Sequence, residues 1–233
     1  GISLFKWCVI CPLSPIDNEL SRQSGARGHR PKLEIVVRET GNVRSRKFIF
    51  DGHRFGMARG VFDPVRHLSG IAFADQLADV VAHYAPSART ALDLGTGCGL
   101  LGATLARLGL KVVATDISEV ATRCAMQNCV ELDVDVRHGD MFAPVEGETF
   151  DLVVVNPPYE RSDPTWRHSG AFTSSDFLEK LGAKVHEFAP TVVVGFPVDE
   201  AAVLGATGLD LVAWRTVETS GHDLGVFVSK LEP

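Results

Sequence analysis

Hydrophobic and polar positions follow a strand-like pattern at the front of the chain. Residues 32–40 (KLEIVVRET) and 46–55 (RKFIFDGHRF) are rich in β-branched and aromatic residues, and the loop between them contains Gly41-Asn42. Two such runs around a glycine-containing loop predict a β-hairpin. The spacing becomes helical from residue 69 and the helix is predicted to stop at Pro86. Its apolar side consists of Ile71, Leu77, Val80, Val81 and Tyr84.

Aliphatic runs alternate with amphipathic segments from residue 90 onward. The predicted strands are TALDLG, KVVATD, VDVRHGD, FDLVVVN, TVVVGFP, LDLVAWRTV and LGVFVSKLE. The predicted helices between them are LLGATLARLG, SEVATRCAMQNCVEL and SDFLEKLGAKVHEFA. This alternation predicts an α/β fold with a doubly wound, mainly parallel sheet. Ligands of such sheets bind at the carboxyl ends of the strands.

Length and hydropathy limit the architecture further. With 233 residues, of which 45% are hydrophobic and 22% charged, the chain can bury one sizeable core. The aliphatic runs 152–155 and 192–194 are far shorter than the roughly 18 residues of a membrane span, so no membrane partner is expected. We predict a linker or arm at 1–31, a β-hairpin extension at 32–66 and the main domain at 67–233. The first residues lack the features of a signal peptide.

The cysteines favour a reducing compartment. Their number is five, which is odd, and their spacing does not resemble a disulfide framework, so reduced thiols and a cytoplasmic protein are expected. Cys8 and Cys11 form a CxxC pair, but no second pair completes a zinc site. No metal is therefore predicted.

Charge is unevenly distributed along the chain. Residues 1–66 contain twelve Lys and Arg against six Asp and Glu, whereas the remainder contains eleven against twenty-three. A basic front end can hold an anionic partner such as a nucleic acid. The alternative is a solvated arm, because residues 21–32 (SRQSGARGHRPK) have the Ser, Gly and Arg content of a linker.

A glycine-rich turn follows the first strand of the main domain. In DLGTGCG, residues 93–99, glycines allow backbone N–H groups to approach a ligand. The glycine spacing is GxGxG, and Leu100 stands where the dinucleotide motif GxGxxG requires its third glycine. A P-loop is excluded because no Lys-Ser or Lys-Thr follows.

Acidic residues recur at the predicted strand ends. Asp93 lies in the glycine-rich turn, Asp116 ends the second strand, and Asp140 follows the third. A carboxylate at the second position can accept hydrogen bonds from both ribose hydroxyls, and one at the third can accept a bond from the adenine amine. The alternative is that Asp116 caps a helix and Asp140 occupies a turn. The whole series favours a nucleoside-containing ligand.

These segments, LDLGTGCG, VVATDIS, GDMF and VVVNPPY, resemble in order and spacing the motifs of class I S-adenosylmethionine-dependent methyltransferases. The resemblance covers roughly residues 60–233. It implies a Rossmann-like sheet of seven strands with the last strand antiparallel, and S-adenosyl-L-methionine as cofactor with S-adenosyl-L-homocysteine as product. The cofactor-binding residues that it implies are Asp93, Gly95, Thr96, Gly97, Gly99, Asp116, Ile117, Asp140, Met141 and Asn156.

The Asn-Pro-Pro-Tyr segment is similar to that of the enzymes in this class that methylate planar nitrogens, and it implies the catalytic residues Asn156, Pro157, Pro158 and Tyr159. An amide or ring amine is a poor nucleophile because its lone pair is delocalised. If the Asn156 side-chain oxygen and the Pro157 carbonyl each accept one N–H bond, the nitrogen is oriented and its developing charge is stabilised. The prolines make these acceptors rigid, and Tyr159 can stack on a flat substrate.

The stretch before the main domain is similar to that of glutamine N5-methyltransferases. Gly60, Val61 and Pro64 match the segment that closes over the cofactor there, and Phe62, Pro64 and Tyr159 are the substrate-binding residues that it implies. The continuation Asp63-Pro64-Val65-Arg66 departs from the bacterial pattern. This departure counts against a protein substrate, but the resemblance as a whole favours a protein glutamine as the acceptor. The alternatives are an exocyclic amine of rRNA, tRNA or DNA held by the basic segment, a small molecule, a non-enzymatic scaffold and a nicotinamide dehydrogenase.

Overall fold

The computed structural model describes residues 7–8, 33–40, 43–158, 174–219 and 223–231. Its first strand, β1, is the two-residue segment Trp7–Cys8. The antiparallel strands β2 (Leu33–Thr40), β3 (Val43–Phe50) and β4 (His53–Gly56) form what we call the N-terminal sheet. Cys11 and most of the predicted arm 1–31 lie outside the described residues.

The predicted hairpin is confirmed, but its second strand is divided in two. A turn at Asp51 and Gly52 separates β3 from β4, and both residues have positive φ, 48° and 77°. Asp-Gly is a strong signal for such a turn, because both central residues tolerate this conformation. The loop before β3 is also shorter than predicted, since the strand already begins at Val43.

The remaining elements follow the predicted alternation. The helices are α1 (Pro64–His67), α2 (Ser69–Tyr84), α3 (Leu100–Arg107), α4 (Glu119–Asn128) and α5 (Ser174–Lys184). The strands are β5 (Thr90–Leu94), β6 (Lys111–Asp116), β7 (Val134–His138), β8 (Leu152–Val155), β9 (Thr191–Pro197), β10 (Leu211–Val217) and β11 (Leu224–Lys230).

Two helical predictions extend too far. Helix α4 ends at Asn128, where the Cys129 N–H bonds the Ala125 carbonyl, although the prediction continued through residue 132. Helix α5 ends at Lys184 and continues as the 3₁₀ turn Val185–Glu187. Helix α1 and the 3₁₀ segment Val198–Thr207 were not predicted. Each is too short or too irregular to show a clear helical period.

The large sheet has the strand order β1-β10-β11-β9-β8-β5-β6-β7. Neighbouring strands from β9 to β7 are parallel, whereas β11 is antiparallel to both β9 and β10. The prediction of a doubly wound sheet with an antiparallel last strand is therefore confirmed. The chain runs outward from β5 through β6 and β7 and resumes with β8 on the other side of β5. This reversal of direction between β5 and β8 is the switch point of the sheet. It creates a crevice beyond the carboxyl ends of the two strands, where such folds bind ligands.

The central strands of the large sheet are buried on both faces. All four residues of β8 have an exposed fraction of 0%, and they alternate between two hydrophobic clusters: Leu152 and Val154 contribute to one, Val153 and Val155 to the other. Continuous aliphatic strands of this kind occur where helices cover both faces. The central strands are thereby fixed in register, and their carboxyl ends hold the candidate site.

The N-terminal sheet shares the core of the main domain. Phe48 and Phe55 stack with ring centroids 4.8 Å apart, each only 1% exposed, and they belong to the same hydrophobic cluster as Leu77 and Leu105 of α2 and α3. The predicted domain boundary at residue 66 stays a prediction. None of the described helices is long and apolar enough to cross a membrane.

Candidate active site

One cleft lies at the carboxyl ends of β5, β6 and β8. Its empty volume, including the part open to solvent, is about 1230 Å³. Most of the site residues predicted from the sequence line it: Phe62, Pro64, Gly95, Thr96, Gly97, Asp116, Ile117, Asp140, Met141, Asn156, Pro157 and Pro158. Tyr159 lies outside the described residues. Asp93 and Gly99 lie behind the cleft wall rather than on it.

The glycine-rich turn after β5 is anchored to β6. The N–H groups of Gly95 and Thr96 both donate to the Thr115 carbonyl, at 2.8 and 2.9 Å. Gly95 and Gly97 have positive φ, 77° and 58°, so the turn depends on residues without a Cβ. The turn thus presents its backbone to the cleft in a fixed position.

Asp93 supports this turn from behind. Its Oδ2 accepts hydrogen bonds from the Thr96 hydroxyl at 2.6 Å and from the Gly102 N–H at 2.8 Å, and the residue is fully buried. Its Oδ1 is also buried and has no hydrogen-bond partner among the described residues. Burial, with a smaller contribution from the neighbouring Asp116 carboxylate, raises the pKa of the Asp93 carboxyl to about 6, although the hydrogen bonds from Thr96 and Gly102 lower it. A buried acid with an unused oxygen beside the cleft fits a cationic ligand nearby.

Asp116 ends β6 and faces the cleft. Its Oδ2 accepts a bond from the Gly97 N–H at 2.9 Å, and its Oδ1 accepts one from the Ser118 N–H at 2.8 Å. The side chain that caps α4 is that of Ser118, which accepts from the Ala121 N–H, so Asp116 is not the helix cap. Each Asp116 oxygen retains a lone pair for a ligand hydroxyl. Burial raises the pKa of this carboxyl, while the two backbone donors lower it.

A polar edge and two apolar side chains meet farther along the cleft. Asp140 is half-exposed, with an oxygen 4.0 Å from Lys180 Nζ. Ile117, which is 39% exposed, and Met141 line the same part of the cleft. The β6 end and the loop after β7 are joined by a bond from the Gly139 N–H to the Asp116 carbonyl. A purine fits this combination, because apolar groups can contact its faces while a carboxylate accepts from its amine.

The segment Asn156-Pro157-Pro158 follows β8 directly and lines the cleft. Because β8 and β6 flank β5 on opposite sides, this segment lies across the switch point from Asp116. Pro157 is buried, and Asn156 and Pro158 are partly exposed. Phe177 of α5 lines the cleft as well. The sequence did not indicate Phe177, because its helical spacing is that of a core residue and only the fold brings α5 to the cleft.

A segment that follows the N-terminal sheet forms the remaining wall. Asp63 caps α1, with its Oδ1 accepting from the N–H groups of Val65 and Arg66 at 3.1 Å each. The Phe62 ring stacks on His67 with centroids 5.4 Å apart. Gly70 of α2 also lines the cleft, and a Cβ there would lie 2.7 Å from Pro64 Cβ. Gly70 was not indicated by the sequence, since its role depends on this contact between α1 and α2.

Comparison with known proteins gives a family match and several relatives. Residues 73–173 match the family model described as Methyltransferase small domain. The release factor glutamine methyltransferase of Bacteroides thetaiotaomicron is 37% identical over 116 residues, which are 47% of this chain and 40% of that protein. The 4-amino-L-phenylalanine/4-methylamino-L-phenylalanine methyltransferase of Streptomyces pristinaespiralis is 35% identical over 117 residues, 47% of this chain and 39% of that protein. The chain thus matches well under half the length of these relatives.

A solved structure resembles the chain over a larger share. The 16S rRNA methyltransferase of T. thermophilus, in complex with AdoMet and guanosine, has a TM-score of 0.52 at 16% sequence identity, covering 86% of this chain and 51% of that one. At this identity the likeness concerns the fold. The strand order and the cleft at the switch point define a class I methyltransferase fold of the Rossmann-like type. Within that fold, the match to the model of the Methyltransferase small domain is confined to residues 73–173, less than half of the chain.

Proposed function

We propose that this protein is an S-adenosylmethionine-dependent N-methyltransferase that acts on a planar nitrogen, with a protein glutamine side chain as the favoured acceptor. The observation that supports this most is the position of Asn156, Pro157 and Pro158. They line the same cleft as the glycine-rich turn and Asp116, so an acceptor group and a nucleoside cofactor would meet there.

The cleft residues fit the cofactor chemically. Asp116 would accept hydrogen bonds from the ribose hydroxyls, while Ile117, Asp140 and Met141 would surround the adenine. The buried Asp93 carboxylate would favour the cationic end of the cofactor through its charge. When bound, S-adenosylmethionine supplies a methyl group from its positively charged sulfur and leaves as S-adenosylhomocysteine.

The acceptor nitrogen would be held by the segment after β8. The Asn156 side-chain oxygen and the Pro157 carbonyl would each accept one of its N–H bonds and so aim its lone pair at the methyl group. The two acceptors would also stabilise the positive charge that develops on the nitrogen. As the N–C bond forms, the nitrogen becomes acidic and loses one proton to water, so no protein base is required.

The choice of glutamine rests on the relatives and on the front of the chain. The relative from Bacteroides thetaiotaomicron is named for release factor glutamine methylation. The family match over residues 73–173 includes the cofactor motifs. Gly60, Val61 and Pro64 line the cleft where the glutamine N5 resemblance requires a closing segment. The partner would then be a protein that presents a glutamine in an accessible loop.

A second candidate acceptor is a small aromatic amine. The Streptomyces pristinaespiralis relative, which is named for methylation of 4-amino-L-phenylalanine, matches nearly the same share of this chain. An arylamine nitrogen is planar and delocalised like an amide, so the same two acceptors would serve it. The rings of Phe62 and Phe177, which line the cleft, could contact such a substrate.

The test is transfer of a labelled methyl group from S-adenosylmethionine into a cell extract. Label is counted separately in the protein, nucleic-acid and small-molecule fractions, with Asn156→Ala as the control. We expect label in the protein fraction that disappears with the variant. Label that depends on Asn156 but occurs only in nucleic acid or small molecules would overturn the glutamine assignment and keep the methyltransferase. Absence of transfer to every fraction would contradict the proposed function.

A further inference from the structure

The free edge of the N-terminal sheet is occupied by one side chain of α4. Strand β4 lies at the edge of that sheet. At its last residue, the Gly56 N–H donates to Asn128 Oδ1 at 2.8 Å, and Asn128 Nδ2 donates to the Gly56 carbonyl at 2.9 Å. The Asn128 carboxamide therefore pairs with Gly56 through both a donor and an acceptor, as a neighbouring strand would.

The same side chain also reaches the glycine-rich turn. Asn128 Nδ2 donates a second hydrogen bond, at 2.8 Å, to the carbonyl of Cys98. Cys98 lies between Gly97, whose N–H bonds the Asp116 carboxylate, and Gly99, which packs on Ala125 of α4. One carboxamide thus connects the edge of the N-terminal sheet with the turn that lines the cofactor cleft.

The surroundings of Asn128 hold it in place. The residue is only 8% exposed, and its backbone carbonyl is 2.7 Å from His53 Nε2. Both Nδ2 hydrogens and the Oδ1 acceptor are used, so the geometry requires a carboxamide rather than a group of similar size. A carboxylate would lose both donors, and an aliphatic side chain would leave the Gly56 and Cys98 groups without these partners.

Gly56 also leads into the wall of the cleft on the acceptor side. The chain runs from it directly through residues 57–59 to the segment Gly60–Pro64, four members of which line the cleft. The turn contacted through Cys98 lines the cofactor side. Asn128 therefore fixes Gly56, from which the acceptor-side segment begins, relative to the glycine-rich turn on the cofactor side.

We propose that Asn128 is a positioning residue that holds the cofactor turn and the acceptor-side segment in register. This inference rests on the proposed function, because it assigns the turn to S-adenosylmethionine. Asn128 touches neither ligand in this account, and it acts through the Cys98 carbonyl and the Gly56 backbone. Loss of the carboxamide should release the turn, weaken cofactor binding and leave the sheet folded.

The experiment compares Asn128→Asp with wild type by calorimetric titration of S-adenosylmethionine, well below the melting temperature of either protein. We expect the dissociation constant to rise by about tenfold or more, because the Nδ2 group that donates to the Gly56 and Cys98 carbonyls is replaced by a carboxylate oxygen that cannot donate. Hydrogen exchange of the amides of residues 95–99 should accelerate in the same variant without added cofactor. If Asn128→Asp does not fold, Asn128→Ser keeps one donor without a charge and serves in its place.

Asp151→Ala is the matched control. Asp151 accepts hydrogen bonds from the N–H groups of Arg89 and Thr90 at the other end of β5, so its loss destabilises the same sheet away from the cleft. We expect a lower melting temperature with unchanged cofactor affinity and unchanged exchange of residues 95–99. Equal loss of affinity in both variants, or none in Asn128→Asp, would overturn the inference. If wild type itself does not bind S-adenosylmethionine, the proposed function fails. The positioning role is then tested by hydrogen exchange alone, and unchanged exchange at residues 95–99 in Asn128→Asp would overturn it.

Discussion

Asp93 is a buried acid that supports the glycine-rich turn and whose charge is only partly compensated. Its carboxyl is surrounded by the core, receives two hydrogen bonds on one oxygen and lies close enough to Asp116 to be affected by that charge. Burial of a charge is unfavourable unless it is fully compensated. The carboxylate is compensated only in part, and a cationic cofactor would supply the missing countercharge.

The pH dependence of stability follows from the raised pKa of Asp93. The ordinary value is 3.8 and the folded value is about 6, so the folded protein takes up the proton at a higher pH than the unfolded chain does. This group therefore stabilises the unfolded state increasingly as the pH rises from 3.8 to 6, and the full cost, on the order of 3 kcal/mol, persists above that range. An uncharged Asp93→Asn side chain escapes this cost.

We therefore expect Asp93→Asn to gain stability relative to wild type as the pH rises from acid to neutral. Urea unfolding of both proteins on either side of the range 3.8 to 6 measures the difference. At neutral pH the variant should also bind S-adenosylmethionine more weakly. A stability difference that stays constant with pH would show that the Asp93 carboxyl does not titrate as described.

Substitution of Asn156 tests the proposed catalytic step. Its side-chain oxygen is assigned to the acceptor nitrogen, so Asn156→Ala should lower kcat by roughly a hundredfold or more. The dissociation constant of S-adenosylmethionine should change little, because the turn and Asp116 remain. Steady-state kinetics and calorimetry on the same preparations give both values. Retained turnover in the variant would contradict the catalytic role of Asn156.

At the scale of elements, the glycine-rich turn depends on close packing against α4. Gly99 has a φ of 85°, and a Cβ there would lie 3.0 Å from Cys129 Sγ and 3.2 Å from the Ala125 Cα. Gly109 has a similar φ of 93°, but a Cβ there would meet nothing within 4 Å. A comparison of substitutions at the two positions therefore separates the cost of backbone strain from the cost of the close contact with α4.

Both Gly99→Ala and Gly109→Ala should destabilise the fold by about 1–2 kcal/mol through left-handed strain. Gly99→Ala should cost roughly 1 kcal/mol more, because the backbone of α4 must also move. Denaturant unfolding compares the two variants directly. Equal losses would mean that the turn adjusts without disturbing α4, and the close contact would then have no energetic role.

The elements were predictable from the sequence where a long run kept one period. Strands β5 to β9 and helix α2 follow from their alternation and spacing, and their order implied the cleft. The turn at Asp51-Gly52 that separates β3 from β4 was not predicted, because the residues on both sides have strand propensity and form one continuous strand-like segment in the sequence. Contacts such as that of Asn128 with Gly56, 72 residues apart, leave no local pattern in the sequence. The same is true of Phe177, whose position depends on how α5 packs.

At the scale of the whole molecule, the cleft is lined by residues after the central strands of the large sheet and by the segment that follows the N-terminal sheet. The switch point between β5 and β8 provides the cofactor turn and the Asn156 segment, whose motifs the sequence contained. The N-terminal sheet joins the same core through Phe48 and Phe55 and leads into the acceptor-side wall. The acceptor is the part that motifs specify least, because amides and aromatic amines require the same two hydrogen-bond acceptors.

The most direct test is therefore the chemical position of the transferred methyl group. Proteins from an extract treated with wild type or Asn156→Ala in the presence of isotopically labelled S-adenosylmethionine are digested and analysed by tandem mass spectrometry. The proposed function predicts a labelled methyl group on the side-chain nitrogen of glutamine, present with wild type and absent with the variant. A methyl group on a carboxylate or a lysine amine, or labelling that does not depend on Asn156, would contradict it.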